Sequence, residues 1–233
     1  SDTSLGYVDF GLSDDALNKA DGNPVSLGDA GEALFVFIPP IQNHQGSEIA
    51  IFENSFSETY LELAFVEISS DGQNFFRFPS VFLDQNTIQT GAFGSIRPSM
   101  IHNFAGKYPV NYGTPFDFKV LENIPGLDIN AISHLKVIDV IGTIDTTYSS
   151  RDSANVIIND PYPTAFSSGG FDLDALGILR PNSIGMTEYT QTLGSAFYPN
   201  PSNGIIFLNT AVDSYQLYSM QGELICSQLN IED

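Results

Sequence analysis

The sequence predicts an all-β protein built around one sandwich, and three observations carry that prediction. Apolar residues fall in short extended runs separated by Gly- and Pro-rich segments. No apolar periodicity sustains a helix longer than two turns, and no internal repeat is present. Eighteen Phe and ten Tyr, with no Trp, supply the aromatic side chains that sheet cores favour. The chain has 233 residues, enough for one sandwich of about 180 residues and something small besides.

Taken in order, Tyr7 to Gly22 is polar and rich in Asp, with a short helical turn expected at Asp14-Asp15-Ala16-Leu17. Ser26 to Ile38 reads as one strand. Ala33, Phe35 and Phe37 fall on one face, and Leu34, Val36 and Ile38 on the other. Pro39-Pro40 is expected to stop it. Ile49 to Glu53 is the next strand. Leu61, Leu63 and Phe65 then point one way while Val66 and Ile68 point the other. Apolar residues on both faces mark a strand covered on both sides. Ser70-Asp71-Gly72-Gln73 is a tight turn in which Gly72 can take positive φ, and Phe76 and Phe78 continue a returning strand. Leu83 to Pro115 is an irregular, Gly-rich excursion. Ile132 to Ile141 is a strand, Thr143 to Gly170 a second long excursion, and Phe171 to Leu179 the closing strand.

Charge excludes some partners. Eight Lys and Arg stand against 28 Asp and Glu, a net charge of −20. Such a surface repels nucleic acid and anionic membranes and favours divalent cations or cationic ligands. The one cysteine, Cys226, precludes an intramolecular disulfide. No apolar run reaches the roughly 18 residues a membrane-spanning helix needs. The first residue, Ser1, reads as a processed or trimmed terminus, and no lipidated N-terminal Cys is present.

The run VEISSDGQNFFRF resembles the strand-turn-strand of discoidin-type and carbohydrate-binding jelly-roll modules. More widely, FENSF, ELAFVEISSDGQNFFRFPS, AGKY, YGTPFDF, NDPYPT and SGGFDLDALGIL, in that order, resemble a family of bacterial cell-surface proteins. That likeness covers Leu27 to Leu179 and implies a jelly-roll-like β-sandwich over residues 1–180. Residues 181–195 read as a polar linker. Beyond the linker, Tyr198-Pro199-Asn200-Pro201-Ser202-Asn203-Gly204 leads into an apolar run and then Tyr215 to Glu223. This resembles the type A C-terminal sorting domain of type IX secretion cargo in Bacteroidota, with Tyr198, Pro199, Asn200, Pro201, Asn203 and Gly204 as its signature. The resemblance implies export across the outer membrane through the periplasm, with shuttle and translocon proteins as partners and the cell surface or the medium as destination. The family's domain continues for further strands beyond a segment like Leu224 to Cys226, so 196–233 reads as a truncated version of it.

Several carboxylates occupy registers that are otherwise apolar. Asp139 is in phase with Leu135, Val137 and Ile141; Glu53 with Ile49 and Ile51; Asp172 and Asp174 with Leu176 and Ile178. A carboxylate in apolar surroundings takes up a proton, a cation or hydrogen bonds. Calcium is one solution, bound by some of Glu53, Asp139, Asp172 and Asp174, with Asp152, Asn155 and Asp160 as a possible second site. The other is that these groups cap loops and accept backbone N–H bonds. His44, His102 and His134 share no metal motif. No Gly-x-Ser-x-Gly is present, and paired carboxylates alone are weak grounds for a glycoside hydrolase. Aromatic loops offer ligand contacts at Phe104, Tyr108, Tyr112, Phe116 and Tyr162, with Gly106 and Gly113 permitting close backbone approach. The expected function is non-enzymatic ligand binding at the cell surface. The ligand would be a glycan or a corrinoid, in support of an outer-membrane nutrient receptor. A structural or adhesive role and a secreted glycoside hydrolase are the alternatives.

Overall fold

A computed structural model describes residues 7–17, 19–164 and 166–179, together with strands at 197–198, 207–208, 214–218 and 224–229. The chain divides into two compact units, Ser1–Ile184 and Gly185–Asp233. Regular structure among the described residues is antiparallel β with a few single 3-10 turns, so the protein is all-β.

In the first unit, β1 (Val25–Ser26), β10 (Asp172–Ile178), β3 (Ile49–Glu53) and β8 (Thr114–Phe116) form one sheet, in that order. The other runs β2 (Glu32–Ile41), β9 (Ile132–Asp139), β4 (Ala64–Ser69), β5 (Phe76–Arg77). A two-stranded ribbon, β6 (Val81–Phe82) with β7 (Ile101–His102), lies in the long excursion. Both four-stranded sheets contribute to one core: Ile49, Ile51, Phe116 and Leu173 from the first meet Phe35, Val66, Ile68, Leu135 and Val137 from the second. The architecture is sandwich-like.

β4 is covered on both sides, as its pattern predicts. Val66 and Ile68 enter the shared core, whereas Leu61, Leu63 and Phe65 enter a second apolar cluster with Phe82, Ile101 and Phe104. The long excursion therefore folds over the outer face of the second sheet and buries it. The turn after β4 is held by Asp71, whose carboxylate accepts from the N–H groups of Gln73 and Asn74, and Gly72 has φ +74°.

Three local expectations differ from the structure. The single strand Ser26–Ile38 is two strands in different sheets. Gly28 and Ala30, both at positive φ, turn the chain between β1 and β2. Pro39-Pro40 does not end β2 but interrupts its ladder: pairing with β9 lapses after Val36 and resumes at Ile41 opposite Ile132, which an edge strand tolerates. In β10 a bulge between Leu173 and Ala175 breaks the alternation. Leu173 and Leu176 both meet the shared core, so Asp172 and Asp174 are not in phase with Leu176 and Ile178.

In the second unit β11 (Phe197–Tyr198) pairs with β12 (Phe207–Leu208), and β13 (Ser214–Tyr218) with β14 (Leu224–Leu229), each antiparallel. Of the residues expected from sequence to carry a sorting signal, Tyr198 ends β11. Pro199, Asn200, Pro201, Asn203 and Gly204 lie outside the described residues, as does the expected linker 181–195.

Candidate functional site

Antiparallel pairing brings acidic strand ends together at one end of the sandwich. Glu53 closes β3 opposite Leu173, and Asp172 opens β10 beside it. Asp139 closes β9 opposite Ala64, two residues after Glu62. Asp160, on the loop before β10, accepts the Leu63 N–H at 3.2 Å. Five carboxyls from five segments thus share one neighbourhood.

Their environments raise every one of their pKa values. Burial pushes Glu62 up to about 9, with the charges of Asp172 and Asp139 adding to it. Burial raises Asp172 to about 6. Glu53, Asp139 and Asp160 are also driven well above the carboxylate range, first by burial and then by their acidic neighbours. Tyr60 shifts upward for the same reasons. The ion pairs among the described residues lie elsewhere, at Arg77–Glu67, Arg97–Asp84 and Lys136–Glu32.

The five differ in how well they are satisfied. Asp139 accepts from Phe171 N–H at 2.7 Å and Ala30 N–H at 3.0 Å, one on each oxygen. It is a staple between β9 and the turns that flank it. Asp172 accepts from the Ser26 hydroxyl. Glu53 Oε2 and Asp160 Oδ1 are buried without a partner. Such an oxygen costs on the order of 1–3 kcal/mol unless a proton or ligand meets it.

Three of the carboxyls, Glu53, Glu62 and Asp172, line a cavity of about 700 Å³ that opens to solvent. Aromatic rings stand around it. Tyr60 and Phe93 have centroids 6.2 Å apart and Phe93 and Phe166 5.7 Å, so three rings form a continuous wall, with Phe10 and Phe56 also on the lining. Phe93 is 77% exposed and Phe56 80%. Rings this bare at a cavity mouth are free to stack on a ligand.

The residues expected from sequence to hold an ion separate into two groups. Glu53, Asp139, Asp160 and Asp172 come together. Asp174 instead accepts from the N–H groups of Asp21 and Gly22 and anchors the N-terminal segment to β10. Asp152 accepts from Phe82, Ala154 and Val156 N–H at 2.8–2.9 Å, a loop staple apart from Asp160. Among the described residues no group of three or more His, Cys, Asp or Glu is arranged to hold a metal ion.

The expected aromatic contacts scatter. Phe104 is in the second apolar cluster, and Phe116 packs on Phe78 in the shared core with centroids 5.0 Å apart. Tyr108 and Tyr112 border a separate shallow groove of about 400 Å³ beside Phe52 and Gly113. Tyr162 is half-buried, its N–H bonded to Thr90 O. Sequence reasoning missed Glu62, although the signal that found Glu53 and Asp139 was present: Glu62 is in phase with Ala64, Val66 and Ile68. The rings of the wall come from distant loops, and no local pattern marks them.

The fold and site define an all-β, sandwich-like protein with an acidic cavity walled by aromatic rings. No family model, no curated protein and no solved structure matches the chain. Among the described residues no helix is long and apolar enough to cross a membrane.

Proposed function

We propose that the first unit is a non-enzymatic binding module of an exported, cell-surface protein, and that its ligand is a glycan-class molecule held in the aromatic-walled cavity. The observation that carries this reading is the Tyr60–Phe93–Phe166 wall above the carboxyls of Glu53, Glu62 and Asp172. Flat rings suit the apolar faces of sugars, carboxyls suit their hydroxyls, and the cavity volume is that of a small-ligand site. A jelly-roll topology supports the same class. If the ribbon strands β6 and β7 are set aside, the first, eighth, third and sixth strands make one sheet and the second, seventh, fourth and fifth the other, the interleaving of two Greek keys. Export by type IX secretion, and service to an outer-membrane nutrient receptor, rest on the sequence resemblances alone.

Calorimetric titration of the full chain with a panel of oligosaccharides and a corrinoid tests the reading. At least one oligosaccharide is expected to bind, with affinity falling about tenfold in Phe93→Ala, since a stacked ring contributes about 0.5–1.5 kcal/mol beyond the area it buries. A panel with no binder moves the function to adhesion. One observation favours a second reading, a glycoside hydrolase: at neutral pH Asp172, at about 6, is ionised while Glu62, at about 9, keeps its proton. Release of reducing sugar, abolished in Glu62→Gln, would establish it.

A further inference from the structure

We propose, resting on that reading, that the ligand presents an ammonium group to the carboxyl floor, as an amino sugar or a polyamine does. Three features of the cavity select for it. Among the described residues the lining contains no Lys, Arg or His to neutralise Glu53, Glu62 and Asp172. Glu53, 3% exposed, lines the cavity with its Oε2 buried and unpartnered. The walls are π-faces, which attract an organic cation over their centres.

A neutral sugar hydroxyl meets only part of this demand, because it brings one donor and no charge. A bare metal ion meets it differently, drawing six to eight oxygens to about 2.3–2.6 Å from one point. The described carboxylates are not arranged around such a point. An ammonium brings three donors directed apart, which suits oxygens that are spread over a floor. A cation placed there replaces the protons that burial otherwise keeps on the carboxyls. The attached carbon skeleton then occupies the space between the rings. The chain's net charge of −20 draws cations toward the mouth.

The test is calorimetry on the full chain with four probes: a glucosamine tetramer, the same tetramer fully N-acetylated, spermidine and calcium chloride. Acetylation removes the charge and leaves the sugar rings in place. The glucosamine tetramer is expected to bind at least tenfold tighter than its acetylated form. That preference is expected to collapse in Glu53→Gln and in Glu62→Gln, both of which keep the side-chain shape. Equal or tighter binding of the acetylated tetramer overturns the ammonium inference and leaves the glycan reading standing. Spermidine binding without either sugar supports the ammonium and removes the glycan. Calcium binding tighter than either amine, lost in Glu53→Gln, overturns the inference and makes the cluster a metal centre. Failure of all four probes overturns it as well.

Discussion

The melting temperature is expected to fall as pH rises from about 5 to 9, the reverse of ordinary acid denaturation. The sign follows from the carboxyl cluster. Below the usual carboxylate range both folded and unfolded chains hold their protons, and the cluster is at its least costly. As pH rises, the unfolded chain ionises first. The folded chain keeps protons on Asp172 up to about 6 and on Glu62 up to about 9, and longer than usual on Glu53, Asp139 and Asp160. Each proton held only by the folded state lowers stability by about 1.4 kcal/mol per pH unit. Glu62 alone accounts for about 2–3 kcal/mol between pH 5 and 7, a shift of about 5–10 °C in a chain of this size. Repulsion within a chain of net charge −20 acts in the same direction. The diagnostic is therefore the comparison with Glu62→Gln, whose profile between pH 5 and 9 should be flatter and whose stability at pH 8 should exceed that of the parent. Asp71 acts oppositely. Its exposed carboxylate is held low by donors from Asn74 and Gln73, so its contribution is lost only in strong acid.

Gly106→Ala is expected to destabilise the protein by about 3 kcal/mol or more and to disturb the cavity as well. Gly106 follows the bridge between Ala64 and Ala105 and has φ +81°, a conformation in which a Cβ is strained. That Cβ would stand 1.9 Å from the backbone O of Glu62 and 3.1 Å from the Phe171 ring. Backbone cannot swing aside as a flexible side chain can, so the segment carrying Glu62 must move. Gly91→Ala is the control: nothing stands within 4 Å of its added Cβ. Denaturant unfolding should show a large loss for the first and a change within about 0.5 kcal/mol for the second. A Gly106→Ala protein as stable as Gly91→Ala would mean that the close approach of Ala105-Gly106 to Glu62 is not tight.

Much of the sandwich was legible because its strands alternate. Phe35 and Phe37 are buried while Leu34, Val36 and Ile38 are exposed, and the two faces of β4 enter different clusters. Glu53 and Asp139 were legible as acids in apolar registers for the same reason. Alternation fails where the backbone adds a residue, so the bulge in β10 misassigned Asp172 and Asp174. It also fails in loops. Phe104 and Phe116 look like loop aromatics in sequence, yet the excursion that carries Phe104 folds onto β4 and buries it. The wall of Tyr60, Phe93 and Phe166 depends on where three loops meet, which is set by topology rather than by any local spacing.

The proposed function rests on a group of buried carboxyls, with raised pKa values, at the floor of an open cavity. A carbon-13 titration of the glutamate side-chain carboxyls from pH 4 to 10, assigned with Glu53→Gln and Glu62→Gln, reads that state directly. The Glu62 carboxyl should still be protonated at pH 7 and lose its proton near 9, and that of Glu53 should titrate well above the ordinary glutamate range. If every glutamate titrates near its ordinary value of about 4.3, these carboxyls are solvated rather than buried, and the account of a cavity floor with unmet buried oxygens fails.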